Sequence, residues 1–195
     1  MNKKFIDIVN SWKTVFSYQD LAYFFWNDKK KLAHKVSYYA EKWYLYKIKK
    51  WLYSLDKNYN RLELATKILK PSYISLETAL KIHGIIFQYT SAIYVISYKS
   101  YETEVDSENI VFKFLNKKIR ENYDWIENKK NYSIAWLERA VLDTLYLYKD
   151  FYFDNLRPVS WDKIEQLLPI YNSKSLEKRV NILKSNFIKN DNKIG

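Results

Sequence analysis

Cysteine is absent from the 195 residues, so neither disulfides nor thiolate-held zinc can stabilise the fold, and nothing points to an oxidising compartment. Glycine is nearly absent too: apart from the terminal Gly195 there is only Gly84, so no glycine-rich loop can cradle a phosphate. The two histidines, His34 and His83, stand far apart, which argues against a metal site. Long apolar runs are also missing. The longest, Ile85 to Ile96, is interrupted by Gln88, Thr90 and Ser91 and is shorter than the ~20 residues a membrane span requires. After the basic start Met1-Asn2-Lys3-Lys4-Phe5, the residues Asp7, Asn10 and Lys13 break up the stretch a secretion signal would need, so a soluble cytoplasmic protein is expected.

Hydrophobic residues make up 48% of the chain, enough for a real core, and the length suits one domain or a small domain joined to a larger one. The formal charge of +11 invites a nucleic-acid reading. A bland source exists for it: 28 of the 33 basic residues are Lys, among many Asn, Ile and Tyr, as an AT-rich gene would encode. Distribution says more than the total. Residues 1–60 carry 12 Lys and 5 acids, net +7, whereas residues 61–195 carry 21 basic and 17 acidic residues, net +4.

Phe5, Ile8, Val9 and Trp12 recur at helical spacing, and Ser17 with Asp20 forms a capping pair ahead of Leu21, Phe24 and Phe25. Beyond Asn27-Asp28, the residues Leu32, Ala33, Val36, Tyr39 and Ala40 define the apolar face of a third helix. From Tyr44 the period becomes two, with Tyr46 and Ile48 opposite Lys47 and Lys49, and Trp51 to Leu55 reads as the return strand. Three helices and a basic hairpin outline a winged helix-turn-helix over residues 1–60. A second, mixed α+β domain with a small helix-covered sheet is expected over residues 61–195, the boundary falling between Asp56 and Pro71. There, Asn60 to Leu69 reads as a helix ended by Lys70-Pro71, and Ser75 starts another that stops at Gly84 in a left-handed cap. Ile93 to Tyr98 and Asn109 to Leu115 read as strands. Trp136 to Tyr148 reads as a buried helix, and Trp161 to Leu168 and Ser175 to Leu183 as the last two.

The segment Lys70-Pro71-Ser72-Tyr73-Ile74-Ser75-Leu76-Glu77-Thr78-Ala79-Leu80, followed by His83-Gly84-Ile85-Ile86, resembles the signature of the AbiEi antitoxin family of bacterial abortive-infection systems. Leu137 to Tyr146 is similar to a helix downstream in that family, and Trp51-Leu52-Tyr53-Ser54-Leu55 resembles the strand closing its N-terminal hairpin. The resemblance implies a transcriptional autorepressor that binds double-stranded DNA at promoter inverted repeats. It also implies an antitoxin countering a nucleotidyltransferase toxin in phage defence, without necessarily touching that toxin. The family has glycine before the hairpin and again at its turn, where this chain has Lys42-Trp43 and Lys49-Lys50-Trp51. The same architecture is compatible with a stand-alone regulator, or with a protein-interaction module acting as inhibitor or decoy in phage–host conflict.

For DNA contact the third helix offers Lys31, His34, Ser37 and Tyr38 to base edges and Lys30 and Lys35 to phosphates, while Lys47, Lys49 and Lys50 of the hairpin reach backbone or minor groove. The competing reading is a solvated lysine face. The aromatic residues, 18% of the chain, fall mostly at core spacing, which favours packing over base stacking. An enzyme is not expected. Glu102, Glu104, Asp106 and Glu108 alternate along an extended segment with Lys113 nearby, but no general base accompanies them, and such a row more often guards a strand edge. Glu138 and Asp143 are expected to pair with Arg139 or a lysine. His83 is expected to pack or cap a helix end, and no cofactor or metal is foreseen.

Overall fold

Residues 3–25, 29–88 and 90–191 are described by the computed structural model, and they form an α+β fold with two sheets. The chain opens with α1 (Lys3–Val9), β1 (Val15–Ser17), α2 (Tyr18–Phe25) and α3 (Lys29–Glu41), then the hairpin β2 (Tyr46–Lys49) and β3 (Leu52–Ser54). The Ser17 N–H and hydroxyl donate to Asp20 at 2.8 and 2.7 Å, and the Asp20 N–H donates back to Ser17 Oγ at 3.1 Å, so α2 starts at a reciprocal cap. β1, too short to show a period, pairs antiparallel with β3 to give a three-stranded sheet in the order β1-β3-β2.

A core of Ile8, Phe16, Leu21, Phe25, Leu32, Val36, Leu45 and Tyr53 joins these elements. The stripe that α3 contributes is narrower than expected: Leu32 and Val36 are buried, whereas Ala33 is exposed. Asn27-Asp28, read as the start of this helix, lies outside the described residues.

The remaining elements are α4 (Arg61–Ile68), β4 (Tyr73–Ile74), α5 (Leu76–Ile82), β5 (Ala92–Ser97), β6 (Tyr101–Val105), β7 (Glu108–Phe114), α6 (Lys117–Arg120), β8 (Ile126–Asn128), β9 (Ser133–Ala135), α7 (Leu137–Leu147), α8 (Trp161–Tyr171) and α9 (Lys174–Asp191). Asn60 caps α4, its side chain accepting from the N–H groups of Leu62 and Glu63 at 2.9 and 3.1 Å. At the end of α5, Gly84 takes φ +71° while its N–H reaches Lys81 O and the Ile85 N–H reaches Leu80 O, a Schellman cap that a left-handed residue makes possible. The second sheet runs β6-β7-β5-β4-β9-β8 and is mixed, with β5–β7 and β4–β9 parallel and the other pairs antiparallel.

Against this sheet α5 packs on β5 and on α7, and α7 in turn carries α8 and α9. Every residue of α7 from Glu138 to Leu145 is buried, although three of them are charged. Arg139 and Asp143, both fully buried, face one another at 3.4 Å, and Asp143 also accepts from the hydroxyls of Tyr73, Ser75 and Tyr171 at 3.0, 2.8 and 2.7 Å. Burial and then the Asp143 charge push both tyrosines well above the ordinary phenol range. Glu138 does not pair with Arg139; it accepts from the Ser160 N–H at the start of α8.

The two cores meet. Val15 and Leu52 contribute to the larger one, and the fully buried Glu63 accepts from the Thr14 N–H and hydroxyl at 2.9 and 2.7 Å. Lys67 is paired with Glu63 at 2.8 Å and donates to the Val15 carbonyl. On the hairpin side, Tyr46 and Tyr59 donate to Asp106 at 3.2 and 2.6 Å.

Candidate nucleic-acid interface

Because Leu32 and Val36 bury one side of α3, the residues at the complementary positions are forced outward. Lys31, His34, Lys35 and Tyr38 follow one another at spacings of three, one and three, which places them on a single face, and all four are exposed, as is Ser37 beside them. Tyr38 is 52% exposed and rests edge-on against Tyr39 at 5.6 Å, while Tyr39 stacks on the buried Phe25 at 5.2 Å. The exposed ring is therefore propped from beneath by the core. Lys30 belongs to α3, but its side chain lies outside the described residues.

The helix closes on a second Schellman cap. The Trp43 N–H donates to Ala40 O at 3.2 Å and the Tyr44 N–H to Tyr39 O at 2.9 Å, with Trp43 in the left-handed region at φ +61°. Trp51, at the turn between β2 and β3, is left-handed as well at φ +68°. Tryptophan thus occupies, at both places, a conformation that glycine adopts without steric strain.

In the hairpin, Lys47 and Lys50 are exposed, and Lys50 lies over the Trp51 ring at 5.8 Å. Lys49 does not share their direction. The register shifts between Lys47 and Lys49, and the Lys49 ammonium hydrogen-bonds Thr103 of β6. Of the nine residues expected to form the interface, five on α3 and two on the hairpin are exposed, while Lys49 is committed to the larger sheet.

The acidic row does not survive as an extended line. Glu102 and Glu104 are exposed on the edge strand β6, but Asp106 and Ser107 take φ of +49° and +63° and turn the chain, so Glu108 begins the neighbouring strand opposite Val105. Asp106 is drawn instead into the contact with Tyr46, Tyr59 and Arg61, and hydrogen bonding from Tyr59 first of all holds its carboxyl below the ordinary range. His83 Nε2 lies 3.0 Å from the Ala135 carbonyl, joining the end of α5 to β9. Among the described residues no three His, Asp or Glu side chains gather as a metal site, and no helix is long and apolar enough to cross a membrane.

The chain matches no family model and no curated protein.

Proposed function

We propose that residues 1–60 form a winged helix-turn-helix that binds duplex DNA, and that the whole chain is an AbiEi-like autorepressor and antitoxin whose counterpart is a nucleotidyltransferase toxin. The observation that carries the DNA-binding reading is the element order α1-β1-α2-α3-β2-β3 with sheet order β1-β3-β2, in a unit that presents the outward face of α3 beside a lysine-bearing hairpin turn. A helix with this apolar underside and this polar face suits the major groove, while Lys47 and Lys50 suit the flanking backbone. Lys49, held by Thr103, is left out of the contact set.

The antitoxin part rests on the resemblance, and one geometric fact supports treating its two main segments as a unit. The first contains β4 and α5 and the second is α7; α5 packs on α7, and Tyr73 and Ser75 donate to Asp143 across the seam.

Fluorescence anisotropy on operator and random duplexes across a salt series tests the DNA reading. With Lys30, Lys35, Lys47 and Lys50 each meeting one phosphate, the slope of log affinity against log salt is expected at about −3.6 per monomer. Lys35→Ala should lower the slope by about one on both duplexes, and Tyr38→Ala should cost about 1–3 kcal/mol on the operator alone. Salt-independent binding, or none at low salt, refutes the proposal. Equal losses on both duplexes for Tyr38→Ala refute its role in specificity.

A further inference from the structure

A cavity of about 580 Å³ lies where the N-terminal unit meets the larger sheet, bounded by the α1–β1 connection, α4, the segment around Pro71, α6 and the β8–β9 turn. Its lining is charged in one sense. Lys13, Lys67, Lys70, Arg120, Lys129 and Lys130 face it against two carboxylates, Asp20 and Glu63, a net +4.

The carboxylates are already shared within the wall. Lys67 sits between Glu63 at 2.8 Å and Asp20 at 3.4 Å, and Lys13 also pairs with Asp20. Glu121 and Glu127 engage Arg120 and Lys129 at 3.0 and 2.6 Å. Lys70 and Lys130 have no carboxylate partner among the described residues; Lys130 lies over the Trp12 ring at 3.9 Å. Arg120 supplies the second observation. Its side chain is 7% exposed, two of its nitrogens reach Leu115 O and Glu121, and its Nε–H is buried without an acceptor. A buried donor left unsatisfied is destabilising, and an anionic oxygen would satisfy it.

We propose that this cavity binds a small phosphate-bearing ligand, with Lys70 and Lys130 neutralising the phosphate at the rim and Arg120 donating from the floor. The volume falls within the range of small-molecule sites, and Tyr123 and Tyr132 in the lining supply aromatic surface for the remainder of a nucleotide-sized molecule. The two sides of the cavity come from different parts of the chain, so occupancy bears on the contact that Lys67 makes between them. This site is independent of the α3 face and does not depend on the DNA-binding reading.

The experiment is isothermal titration of the full chain with ATP, AMP, inorganic pyrophosphate and adenosine. ATP should bind, pyrophosphate should compete with it, and Lys70→Glu/Lys130→Glu should weaken ATP at least tenfold while its circular dichroism is unchanged. Lys178→Glu, on the exposed face of α9, should bind as the parent does. Arg120→Lys, which keeps the charge but removes the Nε–H, should weaken binding without unfolding the chain. The proposal is overturned by no binding of any phosphate at millimolar concentration, by undiminished binding to Lys70→Glu/Lys130→Glu, or by adenosine competing where pyrophosphate does not. Stoichiometric displacement of ATP by a short duplex also overturns it, since the lysines would then belong to a nucleic-acid surface.

Discussion

Trp43→Gly should make the protein more stable although it deletes the largest side chain in the sequence's alphabet. Trp43 occupies the left-handed position of the cap that ends α3, at φ +61°, with both cap hydrogen bonds in place. An L-residue there costs about 1–2 kcal/mol, which glycine avoids. Against this, glycine adds freedom to the unfolded chain worth about 0.4–1 kcal/mol. The ring offsets little, because it is 88% exposed. The balance is a gain of about 0.5–1 kcal/mol, or a rise in Tm of about 1–4 °C for a chain of this length. Urea unfolding followed by far-UV circular dichroism is the assay, since removing a tryptophan disturbs fluorescence. Trp43→Ala is the control, for it loses the same ring yet keeps a Cβ in the strained position. If Trp43→Gly is no more stable than Trp43→Ala, the strain argument is wrong. Trp51→Gly is a useful contrast: φ is +68°, but the ring packs edge-on against Tyr18 at 5.0 Å, so its gain should largely cancel.

Asp143→Ala should cost about 3–5 kcal/mol in urea unfolding, because it strands a buried guanidinium together with three hydroxyls, and Arg139→Met/Asp143→Leu should cost less than the single change. Burial pushes the Glu77 carboxyl up, so its favourable contribution is present below the ordinary value of 4.5 and is lost as the pH rises through the folded value. Glu77→Gln should therefore raise Tm at pH 7, with the difference closing on acidification; a lower Tm at pH 7 refutes this. Asp20 is the opposite case: burial raises its carboxyl, but hydrogen bonds from Lys13 and Ser17 outweigh it and hold the group far below its ordinary 3.8. Its contribution is complete above that value and lost as the pH falls through the folded one, so Asp20→Asn should destabilise at pH 7 and differ progressively less from the parent in strong acid.

Features written in local chemistry could be read before the fold was known. The Ser17–Asp20 pair, the helix beginning at Asn60, the stop at Gly84 and the apolar run of α7 each depend on neighbours within four residues. The strands β1, β4, β8 and β9, two or three residues each, are too short for a period and exist through partners distant in sequence. The acidic row failed for a related reason: alternation describes a strand, but the Asp106–Ser107 turn interrupts it. For the candidate interface, periodicity was enough to turn the α3 face outward, because Leu32 and Val36 determine what is left over. It could not foresee Lys49, whose direction is decided by Thr103, 54 residues away in the chain. Nor could it foresee the cavity, whose walls come from segments far apart in the chain.

The contact between the N-terminal unit and the larger sheet determines how the two proposed roles can be separated. Deleting residues 1–60 looks like the direct route, but it removes Thr14, the donor of two hydrogen bonds to the buried Glu63, and takes Val15 and Leu52 out of the larger core. The remaining chain would carry on α4 a buried carboxylate left with only its Lys67 partner, and bare apolar surface where Val15 and Leu52 had packed, so any loss of protection against the toxin would reflect misfolding as readily as a missing function. Tyr38→Ala avoids this, because Tyr38 is exposed on α3 and its ring contact among the described residues is with Tyr39 in the same unit. In cells carrying the toxin, Tyr38→Ala is expected to lose repression of a promoter fusion while retaining protection. Glu63→Ala, which opens the joint, is expected to lower Tm by several degrees and to reduce both activities together. Repression and protection falling in parallel for Tyr38→Ala, with Tm unchanged, would mean that one surface serves both and that the division of roles is mistaken.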